Sequence, residues 1–334
     1  MTLKAELHVH LEGTLSPNFL KSLSDRHGVP VPDGILNQNE TAYTWAEGKD
    51  AGETLMNFVK TYDRATAVIK TPEDYFDITY DYLSRNAALD CIYTELTVYA
   101  DPEPVVSISY KAMIDAISDA IDKARSDFDV EARILASFVR HFGPDQALKD
   151  AHTVIKHPHK YVTGIAMAGA ETAYEVKDFV PAYNVVTDAL GLDVTAHAGE
   201  ATGPETIRAC HELLGITRFG HMVRVVEDPS LMAELGEKGA VAEVCPRSNL
   251  SLGVFDAAND IPIKAMSDAG VKITINSDDP PFFDTDIAKE YDIAKNIMGL
   301  TEKGTMTFTE NALQAAFVDG GTRTSLLSRL TPWS

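Results

Sequence analysis

An α/β architecture, a (β/α)8 barrel with additional helices inserted after the first strand, is the fold class that three features of this chain predict. Eight short strand-like runs alternate with amphipathic helical stretches. Histidine, glutamate and aspartate gather at the C-terminal ends of the first, fifth, sixth and eighth runs. In a closed barrel those ends surround one mouth, whereas in an open doubly wound sheet they would be strung across its width. The first connection is also far too long for a single crossover helix, so extra helices belong there.

The first run, ELHVHL (6–11), carries His8 and His10 two residues apart, which points both side chains to one side of the strand. Residues 12–90 then hold three or more helices, including 53–69 and 73–88, and an irregular segment around 28–52. A long ordered connection at the catalytic face of a barrel builds a lid or a substrate wall. The second run is CIYTELTVY (91–99), and residues 111–125 follow it with Ile114, Ile117 and Ile121 on one helical face. The third and fourth runs are ARILASFV (132–139) and VTGIAMA (162–168). Residues 176–190 are helical in pattern, and Pro181 is expected to kink or restart that helix. The fifth to eighth runs are DVTAHA (193–198), TRFGHM (217–222), AVAEVC (240–245) and KITINS (272–277). Shorter helices at 205–214 and 228–238 lie among them, and the tail from about 305 reads as closing helices. With no Ser/Gly linker, repeat or low-complexity block, residues 1–334 are expected to form one domain with a helical, lid-like insertion at about 12–90.

Charge narrows the partners. The 29 basic and 50 acidic residues give a net charge of −21. That balance excludes nucleic acid polymers and anionic membranes, whose phosphates are bound by basic side chains. Cys91, Cys210 and Cys245 are widely separated and form no CxxC pair, so neither a disulfide framework nor a thiolate zinc knuckle is expected. The N-terminal MTLKAELHVH enters a strand directly, and no stretch reaches the roughly 18 apolar residues of a membrane span. A reduced cytoplasm is the expected location.

Two imidazoles from His8 and His10 make half a metal site, His197 adds a third nitrogen and Asp278 a carboxylate oxygen. Such a donor set suits zinc better than magnesium or calcium, with iron and cobalt as alternatives. A bound zinc ion would lower the pKa of a water to about 7. Glu200, three residues past His197, together with His221 and Asp279, has the chemistry to move protons around that water. Burial beside an aromatic ring would raise the Glu200 pKa toward the protonated form a donor needs.

The stretches ELHVHLEGTL, GIAMAGAE, VTAHAGEATGPETI, RFGHMVRVVED, EVCPRSNLSLGVF and INSDDPPFF together resemble the adenosine deaminase family of metal-dependent amidohydrolases, over nearly the whole chain. The resemblance implies one zinc ion per subunit held by His8, His10, His197 and Asp278. It implies Glu200 as proton donor to purine N1 and His221 as the residue that orients or deprotonates the water. Asp279 would meet the water and purine N7, and the Gly169 N–H purine N3. The implied reaction is hydrolysis at C6 of a 6-aminopurine with release of ammonia, adenosine or 2′-deoxyadenosine being the leading substrates. The oligomeric state is left open. A two-metal relative would need a bridging lysine after the fourth strand, and none occurs before Lys177. The His/Cys/Cys base deaminases hold zinc through CxxC, which this chain lacks.

Departures from the family pattern concern the substrate. Nucleoside deaminases of the family commonly carry Asp after His-Leu, where it can meet the ribose 5′-hydroxyl; this chain has Glu12, which resembles adenine deaminases and makes free adenine or a modified 6-aminopurine the alternative substrate. On the other side, the RFGH and CPRSN segments fit the nucleoside-type branch at least as well. Met222 replaces the glycine that usually follows the sixth-strand histidine, either crowding the water or packing beneath it. Ala170 stands where an acid is often found, while Glu171 remains. Arg247 either meets an anionic group on an unusual purine or serves as a loop salt bridge. Phe58, Tyr62, Phe282 and Phe283 are candidates to line an apolar purine pocket.

Overall fold

The computed structural model describes residues 2–101 and 107–330. Its strands are β1 (Lys4–His10), β2 (Cys91–Tyr99), β3 (Glu131–Val139), β4 (Val162–Ala168), β5 (Asp193–Val194), β6 (Ala196–Ala198), β7 (Arg218–His221), β8 (Val241–Val244) and β9 (Lys272–Ile275). All neighbours pair in parallel, in the orders β1-β2-β3-β4-β5 and β6-β7-β8-β9. The fifth predicted strand is thus interrupted at Thr195. There the backbone N–H still donates to the Ile165 carbonyl at 2.9 Å, while the side-chain hydroxyl reaches across to the Arg218 carbonyl at 2.8 Å. One residue therefore stitches the two halves together.

The barrel closes between β1 and the end of β9. His10 N donates to the Asp278 carbonyl at 3.0 Å and Asp278 N to the His8 carbonyl at 3.1 Å. Lower down, the Asn276 amide oxygen accepts from Leu7 N at 2.7 Å. The closure is what carries Asp278 to the side of the two histidines. Between Glu6 and Val9 the register against β2 slips by one residue, a bulge that re-aims side chains at the catalytic end of β1.

The first connection contains α1 (Pro17–His27), α2 (Ala51–Thr66) and α3 (Pro72–Ala88). Ser16, Asp50 and Thr71 cap their N-termini, Thr71 in a reciprocal box with Asp74. The segment expected to be irregular contains a short antiparallel bridge between Leu36 and Tyr43. Aromatic contacts fasten this insertion to the loop after β9. Tyr43 stacks on Phe282 at 3.8 Å between ring centroids, and Phe58 lies 5.0 Å from Phe283. Helix Val176–Leu190 runs through Pro181 without restarting, although the proline has no backbone N–H to donate there. Helices Met306–Ala315 and Gly320–Ser328 close the barrel floor, where Leu313, Ala316 and Leu326 pack on Leu7 and Tyr93. Among the described residues, no helix is long and apolar enough to cross a membrane.

Candidate active site

At the mouth of the barrel, side chains from β1, β6, β7 and the turn after β9 converge. His10 Nε2 lies 3.3 Å from both His197 Nε2 and Asp278 Oδ1, and His8 Nε2 lies 3.5 Å from the same Asp278 oxygen. A tetrahedral zinc site with bonds of about 2.0–2.1 Å would place neighbouring donors about 3.3–3.4 Å apart, close to these three spacings. The donors of His8, His197, His221 and Asp278 lie within 4.8 Å of one another, and His10 groups in the same way with Asp278 and Asp279. The far nitrogens are already committed. His8 Nδ1 is 2.9 Å from Glu243 Oε2, and His197 Nδ1 is 2.8 Å from the Met167 carbonyl, so each ring turns Nε2 inward. His8 Nε2 is buried with no hydrogen-bond partner. The residues thus fit a metal ion. His221 also falls within range of His8, His197 and Asp278, but it sits farther from the carboxylate, with Nε2 at 3.9 Å from Asp278 Oδ2.

Electrostatics in this pocket follow from burial and crowding. Burial pulls His8 down, yet the carboxylates of Asp278 and Glu243 outweigh it and hold the ring up to about 10. Burial pushes the Asp278 carboxyl up, but hydrogen bonds from His10 and His8 prevail and leave it well below the usual range. His197 is driven well down by burial and by its histidine neighbours. Burial lowers His221 to about 3. Glu200 and Asp279 are both raised well above ordinary carboxylates, by burial first and by the Asp278 charge second. Burial, the cause expected for Glu200, leads here, and the carboxylates of Asp278 and Glu171 add to it, with no aromatic ring among the causes.

The backbone is strained where these groups sit. His221, Met222 and Asp278 all adopt left-handed φ, at 58°, 61° and 62°. Met222 occupies that conformation with a fully buried side chain that packs in the core. Gly13 admits Asp279: a Cβ there would stand 1.8 Å from Asp279 Oδ1. Asn249, from the helix Pro246–Ser251, meets His221 Nδ1 at 3.2 Å and so bears on which ring nitrogen carries the proton.

Glu171 organises the loop that presents Glu200. Its carboxylate accepts from the backbone N–H groups of Gly199, Glu200, Ala201 and Thr202 and from the Thr202 hydroxyl. Beneath it, fully buried Arg140 donates to the Glu171 carbonyl at 3.0 Å and to the His197 carbonyl at 2.7 Å. Substituting Glu171 by Ala strands four N–H groups, two of them buried and two half-buried, and should cost about 3 kcal/mol or more. The expected calorimetric outcome is a melting temperature lower by about 4 °C or more, with reduced kcat. An unchanged melting temperature would disprove this role.

A cavity of about 470 Å³ opens above the cluster, bordered by His10, Gly169, His197, Glu200, His221 and Asp279 on the barrel side. The insertion supplies the opposite wall, with Phe58, Tyr62 and Tyr75. Phe282 and Phe283 stand behind that wall, packed on Phe58, rather than facing the cavity. Glu12 is buried at the border, its Oε1 accepting from Tyr75 Oη at 3.2 Å and its Oε2 from Tyr62 Oη at 3.5 Å. Burial raises its pKa. Gly169 adopts φ +85°, and a Cβ there would meet His141 Nδ1 at 2.8 Å. Arg247 is exposed outside the cavity and donates through Nε to the Phe283 carbonyl at 3.1 Å, a tie within the loops.

His8, His10, Glu12, Gly169, His197, Glu200, His221, Asp278 and Asp279 therefore lie at one mouth, whereas Phe282, Phe283 and Arg247 do not face the cavity. Glu171, Arg140, His141, Asn249 and Glu243 were not anticipated in these positions. Glu243 did leave a signal, a lone acid inside the apolar run AVAEVC.

The adenosine deaminase family model matches residues 3–333. The chain belongs to the adenosine deaminase family. This family is metal-dependent, and its members are hydrolases acting on the purine amino group. An adenine deaminase from Agrobacterium fabrum (strain C58 / ATCC 33970) is 38% identical to this family member over 98% of each chain. One from Rhizobium leguminosarum bv. trifolii (strain WSM2304) is 37% identical over 98% of each. Among solved structures, adenine deaminase from Arthrobacter aurescens superposes with a TM-score of 0.88 at 25% identity, covering 100% of this chain and 99% of its own. An amidohydrolase from Burkhoderia ambifaria, solved with bound Zn, gives 0.86 at 26% identity, over 99% and 90%.

Proposed function

We propose that this enzyme hydrolyses free adenine to hypoxanthine and ammonia, with one zinc ion held by His8, His10, His197 and Asp278. Of the substrates the sequence leaves open, adenosine and 2′-deoxyadenosine first and free adenine or a modified 6-aminopurine as the alternative, the free base is favoured over the nucleosides. The observation that carries it is Glu12. Both of its carboxylate oxygens are taken up by the Tyr62 and Tyr75 hydroxyls. Both oxygens are thereby held against the tyrosine wall, which disfavours Glu12 as the partner of a ribose hydroxyl. The relatives named adenine deaminase, at 38% and 37% identity, support the same choice. Cavity volume does not decide it, since about 470 Å³ falls well within the ordinary range of small-ligand pockets.

The chemistry follows from the residues. A zinc ion in this donor set supplies Lewis acidity and a water of pKa near about 7. Glu200, held protonated by burial, donates to purine N1 and so makes C6 electrophilic. His221, neutral through burial, orients the attacking water: the Asn249 amide nitrogen donates to its Nδ1 at 3.2 Å, which leaves the proton on Nε2 facing the cavity. Asp279, protonated in its crowded pocket, donates to purine N7, and the Gly169 N–H to N3. The chain acts as a single barrel unit with the 12–90 insertion as its substrate wall.

Zinc-loaded protein assayed side by side on adenine and adenosine should show kcat/KM at least about tenfold higher for adenine, a difference of about 1.4 kcal/mol in barrier. Preference for the nucleoside would reject the free-base assignment, and no turnover of either would reject the deaminase mechanism.

A further inference from the structure

Below the metal-type cluster, the barrel interior contains a chain of buried charges that the reaction itself does not use. Glu243 on β8, Arg218 on β7 and Glu95 on β2 are each no more than 3% exposed. Glu243 presents Oε2 to His8 Nδ1 at 2.9 Å and Oε1 to Arg218 Nε at 2.6 Å, the latter an ion pair bent away from hydrogen-bond alignment. Arg218 Nη2 donates to Glu95 Oε2 at 2.6 Å, and Glu95 Oε1 accepts from Tyr93 Oη at 2.8 Å and from Phe317 N at 2.6 Å. The guanidinium lies 3.4 Å over the Phe317 ring, and its Nη1 donates to the Ala315 carbonyl at 3.1 Å. One arginine thereby fixes two carboxylates to the floor of the barrel.

The formal charges do not balance within this chain. Two carboxylates face one guanidinium in a dry interior, where unpaired charge is costly. The next group upward is His8, and through it the place where a cation would sit. An imidazole donating Nδ1–H to a carboxylate is fixed in one tautomer, with its Nε2 lone pair facing the metal and its basicity raised. Arg218 keeps Glu243 from rotating away, since its other two nitrogens are anchored to β2 and to the floor.

We infer that Glu243, held by Arg218, is a positioning residue for the metal centre, acting through His8; this rests on His8 being a metal ligand. Glu95 belongs to the same network but does not touch His8, which makes it the control. Zinc-loaded wild type, Glu243→Gln and Glu95→Gln are compared for the rate of zinc loss to a chelator and, after cobalt substitution, for their visible absorption bands. Glu243→Gln should lose zinc at least about tenfold faster and shift the cobalt bands, while Glu95→Gln stays within about threefold of wild type with unshifted bands. Should Glu243→Gln fail to fold, Glu243→Asp, which keeps the charge but draws it back from His8, is expected to give the same pattern. Wild type that binds no metal would overturn the ligand assignment. Wild type that holds zinc, with Glu243→Gln no faster than wild type or no faster than Glu95→Gln, would overturn the positioning role alone.

Discussion

Replacing Glu200 by Gln should leave a folded protein that retains its metal and turns over adenine about a thousandfold more slowly, within the range that removal of a general acid produces. Glu200 is 3% exposed and its carboxyl lies 3.5 Å from His221 Nε2. Its pKa is raised by burial, then by the charges of Asp278 and Glu171. For a carboxyl whose folded pKa exceeds its unfolded one, the associated stability is full below the unfolded pKa and is lost as pH rises toward the folded value. At pH 7 to 8 the native Glu200 therefore works against folding, and an amide of the same shape removes that penalty. The melting temperature of Glu200→Gln should equal or exceed that of wild type at this pH, while kcat collapses. A variant that keeps kcat, or that loses it only together with its zinc, would remove Glu200 from the proton-donor role.

The paired outcome distinguishes catalysis from architecture because the loop carrying Glu200 is held by a different residue. Glu171 binds the backbone of residues 199–202, and Arg140 binds the carbonyls of Glu171 and His197. Loss of Glu171 should lower both stability and rate, whereas Glu200→Gln lowers the rate alone. Opposite signs in melting temperature for two acids 29 positions apart are hard to obtain from general loosening of the barrel.

These two acids also mark how far the sequence could be read. Glu200 was legible because the function of a strand-end residue is written locally: an apolar run stops, and HAGE begins. The same holds for His8, His10, His197, His221, Asp278 and Asp279, and for the strands that carry them. Glu171, Arg140 and Glu243 act through partners tens to hundreds of residues away, at distances that no local pattern encodes. Arg140 illustrates the point: at the end of ARILASFVR it reads as the first exposed loop residue, yet it is 1% exposed and spans two carbonyls under the active site. The break of the fifth strand at Thr195 was equally hidden, because it depends on a side-chain bond to the next strand rather than on residue preference. Phe282 and Phe283 fall between these cases. Their apolar character was evident, but only packing shows that they brace Phe58 and Tyr62 from behind.

Substrate choice should turn on one methylene. Shortening Glu12 to Asp withdraws the carboxylate from the Tyr62 and Tyr75 hydroxyls, leaving two buried donors without their acceptor and opening space at the cavity border. Adenine then packs against a looser wall, and its kcat/KM should fall about tenfold, the effect of losing roughly 1.4 kcal/mol of transition-state binding. The freed carboxylate can instead accept a ribose hydroxyl, so activity on adenosine should rise by a similar factor, a shift of about a hundredfold in the ratio. Tyr75→Phe separates the two contributions. It removes the hydroxyl that holds Glu12 but adds no space, so it should weaken adenine turnover without admitting the nucleoside. A ratio of adenine to adenosine activity that is the same in wild type and Glu12→Asp would mean that this wall does not select the base. Because the Tyr62 and Tyr75 hydroxyls bond Glu12 and none of the metal-ligand candidates, the metal content of both variants should match wild type. Any change in preference then reports on the wall alone.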